Sequence, residues 1–153
     1  MRYGVLNPMA DRRGYMAVND PYSQYLENQV KTATPGKMIV MAFDGAIRFA
    51  RIAAEKMKSR ELDEQSANII KVQNIMLELM SSLNLDADRQ LAGNLYSIYS
   101  HVFDRLTQAN VHDDMSALEE TIQILGEMRQ TWAEAERLVR SGEAETREEA
   151  RAA

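Results

Sequence analysis

The sequence contains no cysteine among its 153 residues. Disulfide bonds and thiolate chemistry are therefore excluded, and a reducing, cytoplasmic location is the simplest expectation. Long apolar runs are also missing: no stretch reaches the roughly 18 residues that a membrane-spanning helix needs, and residues 1–20 lack the apolar segment of a secretory signal. We therefore expect no stable membrane insertion. The net charge of -5 disfavours nucleic acid as a partner.

Proline is scarce, and all three prolines lie before residue 36. The next hundred residues contain only isolated glycines and short polar joints as helix breakers, which predicts long helices. Thr34 precedes Pro35, so a capping hydroxyl stands directly before a proline suited to the first helical position. A helix is predicted to begin there.

Apolar residues recur every three or four positions from this point onward, as they do on the buried face of a helix. Breaks in the pattern predict four helices, the first from Pro35 to about Lys58, the second ending near Asn84, the third from an Asp86 or Asp88 cap to Asn110, and the fourth from the Asp113-Asp114 pair to Gly142. Short connections make consecutive helices antiparallel, so the predicted fold is all-α, an up-down-up-down four-helix bundle.

Three regions follow from this pattern. Residues 1–18 are predicted to be a flexible N-terminal extension, residues 19–141 a single helical-bundle domain, and residues 142–153 a flexible charged tail. Within the domain, residues 21–30 are predicted to form a short amphipathic helical segment that includes Tyr22 and Tyr25. A helix this short is not stable alone, so we expect it to dock on the bundle or on a partner.

The chain offers little for catalysis. Its two histidines, His101 and His112, lack the Glu-x-x-His pattern of di-iron bundles, and no nucleophile elbow or phosphate-binding glycine loop occurs. We therefore predict no catalytic residue, no cofactor and no metal site, and a protein that is not an enzyme. Gly45 lies within the first helix at a cost of about 1 kcal/mol relative to alanine, which suggests close approach of another backbone, either a bundle helix, which we favour, or a ligand helix.

The second and third helices carry more apolar residues than a bundle core requires. Ile70 and Leu77 lie outside the core stripe of helix two and share one line with Asn74, while Tyr96 and Phe103 accompany Tyr99 on helix three. Since a bundle helix needs about three apolar positions in seven, the wider band indicates either a broader core or a second surface that faces a partner. A partner helix would dock there through apolar anchors at i, i+3, i+4 and i+7.

Several short motifs occur in a specific order across residues 19–135. They are paired tyrosines before T-A-T-P-G, D-G-A in helix one, S-L-N-L after helix two, N-L-Y in helix three, and Q-A-N then D-D before helix four. In this order and spacing the chain resembles the family of the flagellar secretion chaperone FliS. It departs from the family pattern in having Ala42-Phe43 where Leu-Tyr is common, and in an N-terminus some fifteen residues longer.

The resemblance implies an antiparallel bundle in the cytosol that binds the C-terminal segment of flagellin. Such a protein prevents premature polymerisation of flagellin and presents it to the export gate of the flagellar type III secretion system. Tyr22 and Tyr25 match N-terminal tyrosines that are tied to cargo-site occlusion and gate docking, and Leu95, Tyr96 and Tyr99 match the helix-three motif.

An alternative from another functional class stays open on the residues alone. The surplus apolar band could serve self-association, in a structural or adaptor bundle, and a weak homodimer fits either hypothesis. The predicted partner-binding residues are Tyr22, Tyr25, Ile70, Asn74, Leu77, Leu95, Tyr96, Tyr99 and Phe103.

Overall fold

The computed structural model describes residues 33–153, which form four α-helices and no strand. In chain order these are α1 (Pro35–Lys58), α2 (Leu62–Ser81), α3 (Arg89–His112) and α4 (Met115–Ala152). The predicted N-terminal extension and the tyrosine segment at residues 21–30 lie outside the described residues.

Each helix packs against its neighbours in the chain, and α4 packs back against α1, so the four helices form a closed ring. The predicted antiparallel four-helix bundle is confirmed. The helices contribute core side chains of different size. α1 contributes mainly small ones, Ala46, Ala50 and Ala53, and the other helices contribute larger ones. The largest fully buried side chains are Tyr99, Phe43, Ile69, Met76, Leu106, Leu118 and Leu125.

Side-chain caps begin three of the helices. The Thr34 hydroxyl accepts a hydrogen bond from the Lys37 amide at 3.2 Å, and Asp88 and Asp114 accept from amides three residues ahead at 3.0 Å each. These bonds satisfy amide groups that have no partner within the helix. The predicted start of α1 is confirmed, and of the two candidate caps for α3 it is Asp88 that acts.

Two predicted helix ends are displaced by a few residues. α2 ends at Ser81 instead of near Asn84, because the Asn84 side chain accepts hydrogen bonds from the Asp86 and Ala87 amides and holds a turn there. α3 continues past Asn110 to His112 and ends where Asp113 adopts a left-handed conformation with φ of 49°.

The prediction that the fourth helix stops at Gly142 is wrong. α4 continues through this glycine to Ala152, although every residue from 137 to 153 is exposed. The physical reason is composition: the last eleven residues are mostly alanine, glutamate and arginine, which are strong helix formers, and they outweigh the cost of one glycine. The flexibility of residues 142–153 in solution stays a prediction.

Candidate partner-binding surfaces

The outer side of α2 carries the first group of predicted binding residues. Ile70 is 47% exposed, while Asn74 and Leu77 are half-buried on the same line of the helix. Next to them, the Gln73 amide donates hydrogen bonds to the Phe103 carbonyl at 3.2 Å and to the Thr107 hydroxyl at 2.8 Å. These bonds tie α2 to α3, so the predicted residues of both helices border one surface, here called the α2/α3 face.

On α3, Tyr96 and Phe103 both point towards this face, but their side chains differ in exposure. They are seven residues apart and therefore point the same way from the helix. Tyr96 is 49% exposed, whereas Phe103 is half-buried and packs against the core. Because the two helices are antiparallel, Tyr96 lies towards the end where α2 terminates, beyond Leu77. The result is a half-exposed apolar strip with an aromatic ring at one end.

Tyr99 is not on the surface. It is 1% exposed, its ring lies 6.1 Å from that of Phe43, and its hydroxyl accepts a hydrogen bond from the Trp132 indole at 3.2 Å. Burial raises the pKa of the Tyr99 hydroxyl. Leu95 is half-buried and also packs against the core. Both residues are primarily structural in this conformation.

Tyr99 and Leu95 nevertheless line a cavity of about 200 Å³ at one end of the bundle, here called the end cavity. It lies where α1 begins, α2 ends and α3 begins, with α4 alongside. Its apolar lining also includes Ile39, Leu79, Leu83, Leu91 and Trp132. A second cavity, of about 320 Å³, shares Trp132 and continues between Pro35 and Val139. The two cavities and the α2/α3 face together form the candidate binding surface.

Sequence reasoning missed the contribution of Trp132 and of the leucines around the α2–α3 connection. Leu83 and Leu91 line the end cavity, and Leu85 beside them is 53% exposed. The available signal was the density of leucine in a connection that is otherwise polar. Apolar side chains in a short loop that no helix buries indicate a surface that can bind a partner.

Other motif residues prove to be structural. Asp44 accepts a hydrogen bond from Arg129 Nε at 2.7 Å, which raises the pKa of that guanidinium, and Ala46 is fully buried. A side chain at Gly45 would meet the Ile75 methyl at 3.8 Å, an ordinary contact, so the expected close approach of a bundle helix backbone is wrong. D-G-A is thus part of the α1 contact with α2 and α4.

The Q-A-N and D-D motifs build the junction between α3 and α4. Gln65 of α2 is buried and donates hydrogen bonds to Asn110 at 3.4 Å and to Asp113 at 2.9 Å. Asn110 donates in turn to Ser66 at 3.1 Å. This polar network holds Asp113 in its left-handed conformation, while Asp114 caps α4.

The helices of the described chain contain no group of three histidine, cysteine or acidic residues arranged to hold a metal ion. Both histidines are exposed, and His101 has the Glu120 carboxylate 3.9 Å from its Nε2. Within residues 33–153, no helix is both long and apolar enough to cross a membrane.

These features define a helical bundle whose candidate site is an apolar surface of the kind that holds a partner segment. Comparisons with known proteins identify the family. Residues 18–139 match the model of the family described as flagellar protein FliS. Chains of this family are flagellar secretion chaperones, and the chain belongs to it.

Individual relatives agree with this assignment. The chain is 35% identical over 120 residues to the flagellar secretion chaperone FliS of Bacillus subtilis, covering 78% of this chain and 89% of the relative. It is 29% identical over 110 residues to the Escherichia coli FliS, covering 71% and 81% of the two chains. A solved structure named as a flagellar chaperone from bacteria shares the fold, with a TM-score of 0.63 at 20% identity over 74% of this chain and 93% of the other.

Proposed function

We propose that this protein is a cytosolic export chaperone that binds the C-terminal segment of flagellin. In this proposal it prevents premature polymerisation and delivers flagellin to the flagellar type III export apparatus. The binding is stoichiometric and involves no chemical turnover. Membership in the flagellar secretion chaperone family supports the role, and the half-exposed apolar strip of the α2/α3 face is the observation that carries the proposal.

The strip suits an amphipathic helix. Ile70, Asn74 and Leu77 are spaced so that they line one side of α2, and Tyr96 extends the strip from α3. Apolar anchors of a cargo helix at i, i+3, i+4 and i+7 would bury against such a row. Tyrosine suits the edge of the row because its ring buries area while its hydroxyl remains in water. The end cavity offers a pocket in which a further apolar anchor could bury.

The remaining predicted residues take secondary parts in the proposal. Phe103 supports the strip from the bundle side, and Leu95 and Tyr99 form part of the wall of the end cavity. Tyr22 and Tyr25, outside the described residues, are proposed to act at the cargo site or at the export gate, as the family resemblance implies.

The test is calorimetric titration of the full chain with a synthetic flagellin C-terminal peptide. We expect binding at about one to one, and we expect Leu77→Glu or Tyr96→Glu to weaken it by about 2 kcal/mol, or roughly thirtyfold, as for a well-placed anchor. Val111→Glu is the matched control, because Val111 is 68% exposed on α3 but at the other end of the bundle. Circular dichroism checks that all variants keep their helicity.

Two results would count against the proposal. An absence of binding heat at micromolar concentrations would refute the flagellin assignment. Equal affinities for the control and the two face variants would leave the assignment intact but would show that the cargo binds elsewhere.

A further inference from the structure

On the side of the bundle opposite the α2/α3 face, a groove of about 580 Å³ runs between α1 and α4. We name it the arginine groove after Arg48, Arg51 and Arg129, which line it together with two carboxylates, Asp44 and Glu55, so that the groove carries a small net positive charge on a chain of net charge -5. Arg129 is paired with Asp44, but within residues 33–153 neither Arg48 nor Arg51 has a carboxylate within 4.0 Å. Among the described residues, two cations on one turn of α1 therefore have no acidic partner.

The guanidinium of Arg48 lies 5.0 Å from the centre of the Phe49 ring. Stacking of this kind holds the side chain in place and leaves its N–H edge free for a carboxylate. Ile52, which is 37% exposed, adds an apolar patch beside the two arginines. The groove thus offers both charge and apolar area.

Gly126 of α4 lines the groove. A Cβ atom at this position would meet no atom within 4 Å, so packing of the bundle does not require a glycine. Alanine would form a more stable helix at the same place. The missing side chain instead leaves the groove open, so that the backbone of another helix can approach α4 closely.

Complementary charge is present elsewhere on the same chain. Beyond Glu136, which packs over Gly36 at the start of α1, α4 continues for sixteen residues, about 24 Å at 1.5 Å per residue. The first turns of this segment, as far as Glu143, border the second cavity beside Pro35, and the rest projects from the bundle. On this projection Glu145, Glu148 and Glu149 stand at i, i+3 and i+4 and therefore form one acidic face. Arg147 and Arg151 lie on the opposite face.

Leu138 belongs to the acidic face, because it precedes Glu145 by seven residues, or two helical turns. It is 56% exposed. The projection therefore combines an apolar side chain with a row of carboxylates, which matches the combination of Ile52 with Arg48 and Arg51 in the arginine groove.

The projection cannot fold back into the groove of its own chain. Glu148 is 22 residues beyond Gly126 on one continuous helix, a separation of about 33 Å. We propose that the acidic face of the α4 projection binds the arginine groove of a second copy, so that two chains form a symmetric dimer with their α4 helices antiparallel. In a two-fold arrangement each chain supplies one projection and one groove, and each contact occurs twice. The α2/α3 face remains free on both copies.

Sedimentation equilibrium of the full chain at low and high salt tests the proposal. We expect a monomer–dimer equilibrium that shifts towards monomer as salt is added, because exposed charge pairs are screened. The double variants Arg48→Glu/Arg51→Glu and Glu145→Arg/Glu148→Arg should each raise the dissociation constant at least about tenfold, since every substitution acts twice and turns attraction into repulsion. Circular dichroism confirms that the variants are folded.

The decisive step is to mix the two charge-reversed variants. One then has an acidic groove and acidic projection, and the other a basic groove and basic projection, so both contacts are attractive only in the mixed dimer. We expect heterodimers to form although neither variant dimerises well alone. Gly126→Leu should fill the groove and weaken the dimer, while Gly93→Leu, at another helical glycine with open space, should not.

The proposal is overturned by any of three results: a wild-type chain that is monomeric at every salt concentration, charge-reversed variants that dimerise as the wild type does, or a mixture that forms no heterodimer. None of these measurements involves flagellin, so their outcome is separate from that of the proposed function.

Discussion

Replacing Tyr99 by phenylalanine tests the internal packing of the bundle with a change of one oxygen atom. The Tyr99 hydroxyl accepts a hydrogen bond from the Trp132 indole at 3.2 Å. Losing one such bond costs about 1 kcal/mol at neutral pH, because the indole N–H is left without its partner. For a chain of this length the midpoint of thermal unfolding should fall by roughly 2–4 °C.

The destabilisation caused by the same substitution should become smaller at alkaline pH. Burial raises the pKa of Tyr99 above its ordinary value of about 10, so the folded state favours the neutral hydroxyl. The stability that this group contributes is fully present below the unfolded pKa and is lost as the pH rises from there through the folded pKa. The free-energy difference between wild type and Tyr99→Phe should therefore shrink above about pH 10, because the phenylalanine cannot ionise.

Urea unfolding followed by circular dichroism at neutral pH and at about pH 10.5 measures both effects. The five other tyrosines titrate in both proteins and cancel in the comparison. If the two proteins were equally stable at neutral pH, or if their difference stayed constant into the alkaline range, the assignment of Tyr99 as a buried hydrogen-bond acceptor would be wrong.

Three further substitutions test the helix ends and the core by the same unfolding measurement. Arg60 has a left-handed φ of 63° just after α1, so Arg60→Gly should stabilise the protein by up to about 1 kcal/mol, and a destabilised variant would show that the side chain has a contact worth more than the strain. Asp88→Ala removes the α3 cap and should cost about 1 kcal/mol, whereas Asp86→Ala, which caps nothing, should be nearly neutral. Leu106→Ala opens a cavity at a fully buried position and should cost about 2–5 kcal/mol; a much smaller loss would mean that the core can collapse around it.

Much of the fold was predictable because local rules and tertiary packing agree along most of the chain. The Thr34-Pro35 start of α1 and the acidic caps of α3 and α4 are local chemistry that the tertiary structure leaves unchanged. The end of α4 was not predictable from Gly142, because the low helix propensity of this one glycine is outweighed by ten alanine, glutamate and arginine residues that follow it. A rule based on a single residue fails where the sum over a segment decides.

The binding surface was predicted only in part, because periodicity cannot distinguish a broad core from an exposed strip. Both alternatives are realised. The small side chains of α1 leave room inside the bundle, and the ring of Tyr99 fills that room against Phe43, so Tyr99 belongs to the core. Ile70 and Tyr96 lie on the outer side of α2 and α3 and remain about half exposed. Which apolar side chains face another helix depends on how the four helices pair, and the periodicity of one helix does not contain that information.

The Asp113-Asp114 pair has a consequence for how the chain tolerates changes in length. Asp113 ends α3 and the next residue caps α4, so no residue is left over to absorb an insertion. One added residue that extended either helix would turn the following helix by about 100° and carry Leu118 and Leu125 away from the core. The connection between α2 and α3 has seven residues, of which Asn84 holds the turn and Asp88 caps α3. An added residue should therefore destabilise the protein less in that connection than between the two aspartates.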